Sequence, residues 1–288
     1  MRRKAGTVLS VFALLFCLPL AAGPPYDGAA FEKRVAAIAA GPDGASRRAA
    51  IAAQLTALEI DYHLENFDAA GRKGVNILAT LPAPAGVEKE LLLGAHSDRV
   101  DVGQGAVDDA SGDSAVIELL AAFKRTPLKD YRLSAAFFDL EELGAVGSGA
   151  FVAAHRRSLP AIYLNFDVFA YGDALWVGSV NGQSLSARAM TEAASASRFP
   201  LVMGNDYPPG DDGSFLAAKV ETLGIALVDG REIEGILAFF HGRPPNPLPR
   251  ALTILHSPND TPDKIAGLDA AHALPVVERA IRLLDAGR

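Results

Sequence analysis

Four short apolar runs in this sequence each end in side chains that can bind a metal ion or carry a proton. "LLLGAH" ends at His96, "AAFFDL" runs into Glu141 and Glu142, "YLNFD" ends at Asp167, and "LTILH" ends at His256. A fifth segment, "GAVDDASG" (105–112), sets Asp108 and Asp109 just ahead of a helix-like stretch. Singly, each has an ordinary explanation. A strand-end histidine is commonly structural, an aspartate before a helix caps it, and paired glutamates suit a solvated turn. Together they supply two histidines and several carboxylates without cysteine, a donor set that suits zinc better than manganese or cobalt. Crowded carboxylates repel, and some would stay protonated; two divalent cations reverse that balance. The count closes on two metal ions. It comprises two histidines, one bridging aspartate, one further aspartate and one glutamate, with a second glutamate left over as general base.

Such distant residues need a frame that delivers them to one place. Ala29–Ala40 and Ser46–Leu58 are alanine-rich and predict helices, and "DYHLENF" with "GVNILATLP" predicts paired strands. The pattern then alternates. "ELLLGAH", "LSAAFFDL", "AIYLNFD", "TLGIALV" and "ALTILH" read as strands. "SGDSAVIELLAAFKR", "GSGAFVAAHRR", "SLSARAMTEAASAS" and Ala266–Ala286 read as helices. Alternating apolar strands and amphipathic helices predict an α/β protein of three α/β/α layers around a mixed, mostly parallel sheet. Ligands bind beyond the carboxyl ends of such strands, where the four runs place their polar residues.

Composition narrows the function classes. "MRRKAGTVLSVFALLFCLPLAAG" has a basic start, an apolar stretch and then small residues, the pattern of a signal peptide cleaved near Ala22. Residues 1–22 are therefore expected to be removed on export to the periplasm or outside the cell, leaving 23–288 as one domain with no stable membrane association. Removing Arg2, Arg3 and Lys4 from 27 basic residues, against 34 acidic ones, leaves a formal charge of −10. Such a chain is not built to bind nucleic acid. Cys17 is the only cysteine, so the mature chain contains no disulfide and any metal ligands are His, Asp or Glu.

In order, "GAHSD", "GAVDDASG", "LEELGAVGS", "NFD" and "HSPNDT" resemble the motifs of the co-catalytic zinc aminopeptidases of the bacterial leucyl aminopeptidase type. Glutamate carboxypeptidases and glutaminyl cyclases are more distant relatives, and the resemblance runs from about Val75 to the C-terminus. It implies a zinc exopeptidase-like fold and two zinc ions. His96 and Asp167 would bind one, Glu142 and His256 the other, with Asp108 bridging them. Glu141 would be the acid/base, and Asp98 would orient the His96 ring. A peptide with a free N-terminus is the implied substrate. The resemblance also implies a cis peptide bond between Asp108 and Asp109.

The chain departs from the family pattern in places. "GDDGSF" (210–215) puts Asp212 where a histidine is common, Arg99 follows Asp98 where Ser or Thr is usual, and "FFHGRPPNPLP" (239–249) is a Pro-rich insertion. Asp211 and Asp212 are read as a helix cap, Tyr207 as loop packing rather than an oxyanion donor, and His63, His155, His241 and His272 as surface or structural. A carboxypeptidase on the same scaffold would need a cation for the substrate's terminal carboxylate, with Arg99, Arg231 and Arg243 as candidates. A silent peptide-binding relative would be expected to have lost a ligand or Glu141, and none is missing.

Overall fold

The computed structural model describes residues 26–178 and 184–287. Residues 1–22, expected to be a signal peptide, lie outside the described residues. No described helix is long and apolar enough to cross a membrane.

Eight described strands form one sheet in the order β1-β2-β4-β3-β5-β8-β6-β7. They are β1 (Tyr62–Ala69), β2 (Arg72–Thr80), β3 (Glu90–His96), β4 (Arg132–Phe138), β5 (Ile162–Phe169), β6 (Ala174–Gly178), β7 (Leu201–Met203) and β8 (Glu221–Val228). The centre is parallel: β4, β3, β5 and β8 run side by side in one direction. β1 pairs with β2, as expected from sequence, and the pairing is antiparallel; β2 and β6 join the parallel core antiparallel.

Alternation along the strands divides the core. Leu91, Leu93, Ala95, Leu133, Ala135, Phe137, Ile162 and Leu164 face the larger cluster. There they meet α1 (Gly28–Ala39), α3 (Ser111–Arg125), α5 (Leu185–Ser197) and α9 (Gly267–Asp285). The intervening residues Leu92, Ala136, Phe138 and Tyr163 form a second cluster with Phe151 of α4 (Val146–Ala154) and Phe215 of α6 (Asp212–Ala217). Strands buried on both faces read as continuous apolar runs, which is why the central strands were legible. The helix α2 (Gly44–Ala57) opens on an Asp43 cap and sends Ile51 and Leu55 into the larger cluster.

Two expectations need correction. "ALTILH" is not a strand: Arg250–Ile254 form the short helix α8, which places His256 on a left-handed backbone at φ 53°. Glu232 produces this, because its carboxylate accepts from the backbone N–H groups of Arg250 and Ala251 at the helix start. The cap lies eighteen residues upstream of Arg250, so the local apolar pattern carried no trace of it. Asp211 is not a side-chain cap either. It precedes α6 with helical φ and ψ, makes no capping hydrogen bond and is 1% exposed.

Candidate metal centre

The strands β3, β4 and β5 end on the same edge of the sheet, and their loops converge there. His96 is the last residue of β3. Beyond β4 the chain turns at Leu140, which has φ 63°, and Glu141 O then accepts from the N–H groups of Gly144 and Ala145. Gly144, at φ 99°, supplies the left-handed step that closes this turn. Asp167 lies near the end of β5, followed by Val168 at φ 59°. Left-handed conformations at Leu140, Val168 and His256 are costly for residues with a Cβ, and such positions cluster at functional sites. The Asp108–Asp109 peptide bond is cis, as the resemblance implied.

Asp108 stands at the centre. Its Oδ1 lies 2.9 Å from His96 Nε2, and its Oδ2 lies 3.1 Å from His256 Nε2. His256 Nε2 is also 3.0 Å from Glu142 Oε2. One ligand atom each from His96, Asp108 and Glu142 falls within 4.8 Å of the others, and so does one each from His96, Asp109 and Asp167. The structure thus brings together His96, Asp108, Glu142, Asp167 and His256, with Glu141 beside them on the wall of the same cavity.

Asp98 does more than the sequence suggested. It lies 3.4 Å from His96 Nδ1 and also accepts from the Glu141 N–H at 3.0 Å and the Glu142 N–H at 3.2 Å. One carboxylate thereby sets the position of both glutamates. Asp109 is scaffold: it accepts from the backbone N–H groups of His96, Gly112 and Val168. A Cβ on Gly112 would fall 2.4 Å from its oxygens, so a glycine is needed there. Asp260, within "HSPNDT", accepts from the N–H groups of Val107 and Asp108 and fixes the central aspartate. Sequence reading missed these two roles, although both residues sit inside the quoted motifs.

The charge balance fits a divalent cation. For His96, burial works against the charged ring, but hydrogen bonds to Asp108 and Asp98 outweigh it and hold the pKa well above the usual value. His256 is raised to about 10 by its contacts with Asp108 and then Glu142. Burial, reinforced by neighbouring carboxylates, pushes Glu141 up to about 8 and Asp167 up to about 7. Glu142 Oε1 is buried without a hydrogen-bond partner, and buried polar atoms normally have one. Carboxylate and imidazole donors of this kind match zinc.

A cavity of about 480 Å³ opens from the cluster. Asp108, Glu141, Glu142, Asp167 and His256 line it, together with the apolar side chains of Trp176, Ile236, Phe239, Phe240, Leu252 and Leu255. Ile236, Phe239 and Phe240 come from α7 (Ile233–Phe240). Tyr207 lines it too, its ring against Trp176 and over Gly178 and Gly224, where an added Cβ would strike the ring. Among the described residues, no arginine or lysine lines this cavity. Arg99 donates to the carbonyls of Val100 and Pro42, Arg231 pairs with Asp229, and Arg243 lies beside His241. His155 pairs with Glu65 and His241 with Asp206, away from the cluster.

A layered α/β/α sheet with such a cluster beyond its central strand ends has the fold of the zinc exopeptidases. The model of peptidase family M28 matches residues 76–279, and the chain belongs to that family. Leupeptin-inactivating enzyme 1 of Streptomyces exfoliatus is 34% identical over 110 residues, 36% of this chain and 25% of that protein. The alignment thus spans about a quarter of that relative's length. The LapA aminopeptidase of Legionella pneumophila superposes with a TM-score of 0.70 at 16% identity, covering 89% of this chain and 72% of LapA. A glutaminyl cyclase of Bacteroides thetaiotaomicron superposes with a TM-score of 0.69 at 15% identity, covering 89% and 98%.

Proposed function

We propose that this chain is a zinc aminopeptidase that removes an apolar residue from the free N-terminus of a peptide. One observation carries the reading: a single cavity is lined both by the acidic and histidine side chains of the cluster and by large apolar ones, with no cation in its described lining. The acidic side chains suit a substrate ammonium group and the apolar ones its side chain. A carboxypeptidase would need a cation that this lining does not offer. The names of the family and of its similar aminopeptidases support the same reading.

His96 and Asp167 would hold one zinc, Glu142 and His256 a second, and Asp108 has one oxygen facing each histidine. When bound, the metal would supply Lewis-acid polarisation of the scissile carbonyl and make water a better nucleophile at neutral pH. Glu141 takes a proton from the attacking water and returns it to the leaving nitrogen as the C–N bond breaks and the C–O bond forms. Asp98 holds Glu141 and Glu142 through their amides. The proposal extends to export: the basic and apolar start of the chain supports action in the periplasm or outside the cell.

The test is a panel of aminoacyl p-nitroanilides run with and without chelator, together with elemental analysis. The reading expects release from leucyl and phenylalanyl substrates, loss on chelation and about two zinc equivalents per chain. Activity untouched by chelator would overturn it, and a firm ceiling of one zinc would overturn the two-metal part.

A further inference from the structure

Among the described residues, Arg47 is the largest fully buried side chain, at 0% exposure, in a helix that otherwise carries small and apolar residues inward. All four of its hydrogen bonds go to backbone carbonyls. Nε donates to Ser97 O at 2.8 Å, Nη1 to Gln104 O at 2.9 Å and Gly105 O at 3.1 Å, and Nη2 to Gly105 O at 3.2 Å. The acceptors are well placed. Ser97 lies between His96 and Asp98, and its N–H and hydroxyl both donate to Phe138 O at the end of β4. Gln104 N–H donates to Asp260 O, and the Asp260 carboxylate holds the Val107 and Asp108 amides. Gly105 opens the turn that carries Asp108, and it must be glycine: at φ 59°, an added Cβ would lie 3.0 Å from Arg47 Nη1 and 2.9 Å from Asp108 O. One guanidinium therefore stands where the segments bearing His96, Asp108 and the two glutamates are tied together.

A buried cation is a poor way to gain stability alone, because an apolar residue of similar volume often does as well or better. Asp113 stands in the same buried layer, with 0% exposure and neither carboxylate oxygen hydrogen-bonded. It is the acid that most offsets the burial of Arg47, followed by Asp109. A planar fork with donors in fixed directions can hold three carbonyls at set spacings, which a lysine ammonium cannot.

We propose that Arg47 is a positioning residue for the metal centre, its guanidinium pinning the loop of His96 and Asp98 to the loop of Asp108. The inference rests on the proposed zinc site.

The test compares Arg47→Lys and Arg47→Gln with Ile51→Val, a change one turn further along α2 in the larger core cluster. Zinc affinity is read by competition with a chromogenic chelator, kcat and KM at saturating zinc, and unfolding of the metal-free protein by circular dichroism. Partners that orient metal ligands typically contribute 10–100-fold in affinity or activity. Both Arg47 variants should weaken zinc binding about tenfold or more and lower kcat with little change in KM. Ile51→Val should lower stability and leave zinc affinity within twofold of wild type. The wild-type protein provides a readout that needs no variant: the Arg47 Nε–H resonance should shift when zinc is added. Wild-type affinity and kcat in Arg47→Lys, or a resonance unmoved by zinc, would overturn the proposal while leaving the zinc peptidase reading intact. A wild-type protein that binds no zinc would overturn both.

Discussion

Replacing Asp98 by asparagine isolates the link between the histidine and the two glutamates. Each carboxylate oxygen accepts one amide, Oδ1 from Glu141 N–H at 3.0 Å and Oδ2 from Glu142 N–H at 3.2 Å. Asparagine keeps the shape but turns one oxygen into an NH₂, which cannot accept. One hydrogen bond to a charged group is lost, worth about 1.5–3 kcal/mol. If that loss falls on the placement of the glutamates, kcat/KM should drop roughly 10- to 150-fold, at about 1.4 kcal/mol per tenfold. Leucyl p-nitroanilide hydrolysis at saturating zinc measures the drop, and chelator competition measures any accompanying loss of metal. Asp98→Asn with kcat/KM and zinc affinity both within twofold of wild type would refute the reasoning.

Further outcomes follow from the same geometry. Glu141→Gln should retain zinc and lose about 10²–10⁴ in kcat, whereas Glu142→Gln should lose zinc affinity as well; the reverse pattern in metal analysis would swap their roles. Leu252→Trp should fill part of the cavity along its apolar lining, lowering kcat/KM for phenylalanyl more than for alanyl substrates, and equal losses would place the side chain elsewhere. Burial pushes the Asp211 carboxyl up to about 7, so the folded state favours its protonated form. Its stabilising contribution is complete below the usual carboxylate value and is lost as pH rises through about 7. Metal-free Asp211→Asn should therefore gain on wild type in urea unfolding between pH 4 and 8, and parallel curves would contradict this.

The legible parts of the fold share a physical cause. β3, β4 and β5 are buried on both faces, so each reads as an unbroken apolar run, and the polar residue that ends it stands out. "ALTILH" shows the limit of that signal, because a short apolar run does not distinguish strand from buried helix and the carboxylate that starts α8 comes from Glu232. β6 and β7 escaped notice as segments of five and three residues. Arg47 was invisible because an arginine in an alanine-rich helix reads as solvated, and only the folded chain shows the carbonyls around it. Asp211, just ahead of α6, looked like a cap, but it is buried, and burial of a carboxylate there depends on segments distant in sequence. The side chains proposed to touch metal were readable from type and order; those that hold them in place depend on contacts between distant segments.

The central claim is cleavage at a free N-terminus by the cluster around Asp108. The most direct measurement incubates the zinc-loaded protein with a leucine-initiated peptide and its N-acetylated twin and follows products by mass spectrometry. The account predicts release of the N-terminal leucine from the free peptide and none from the acetylated one. Equal cleavage of both, loss of residues from the C-terminus, or no cleavage of either would contradict it.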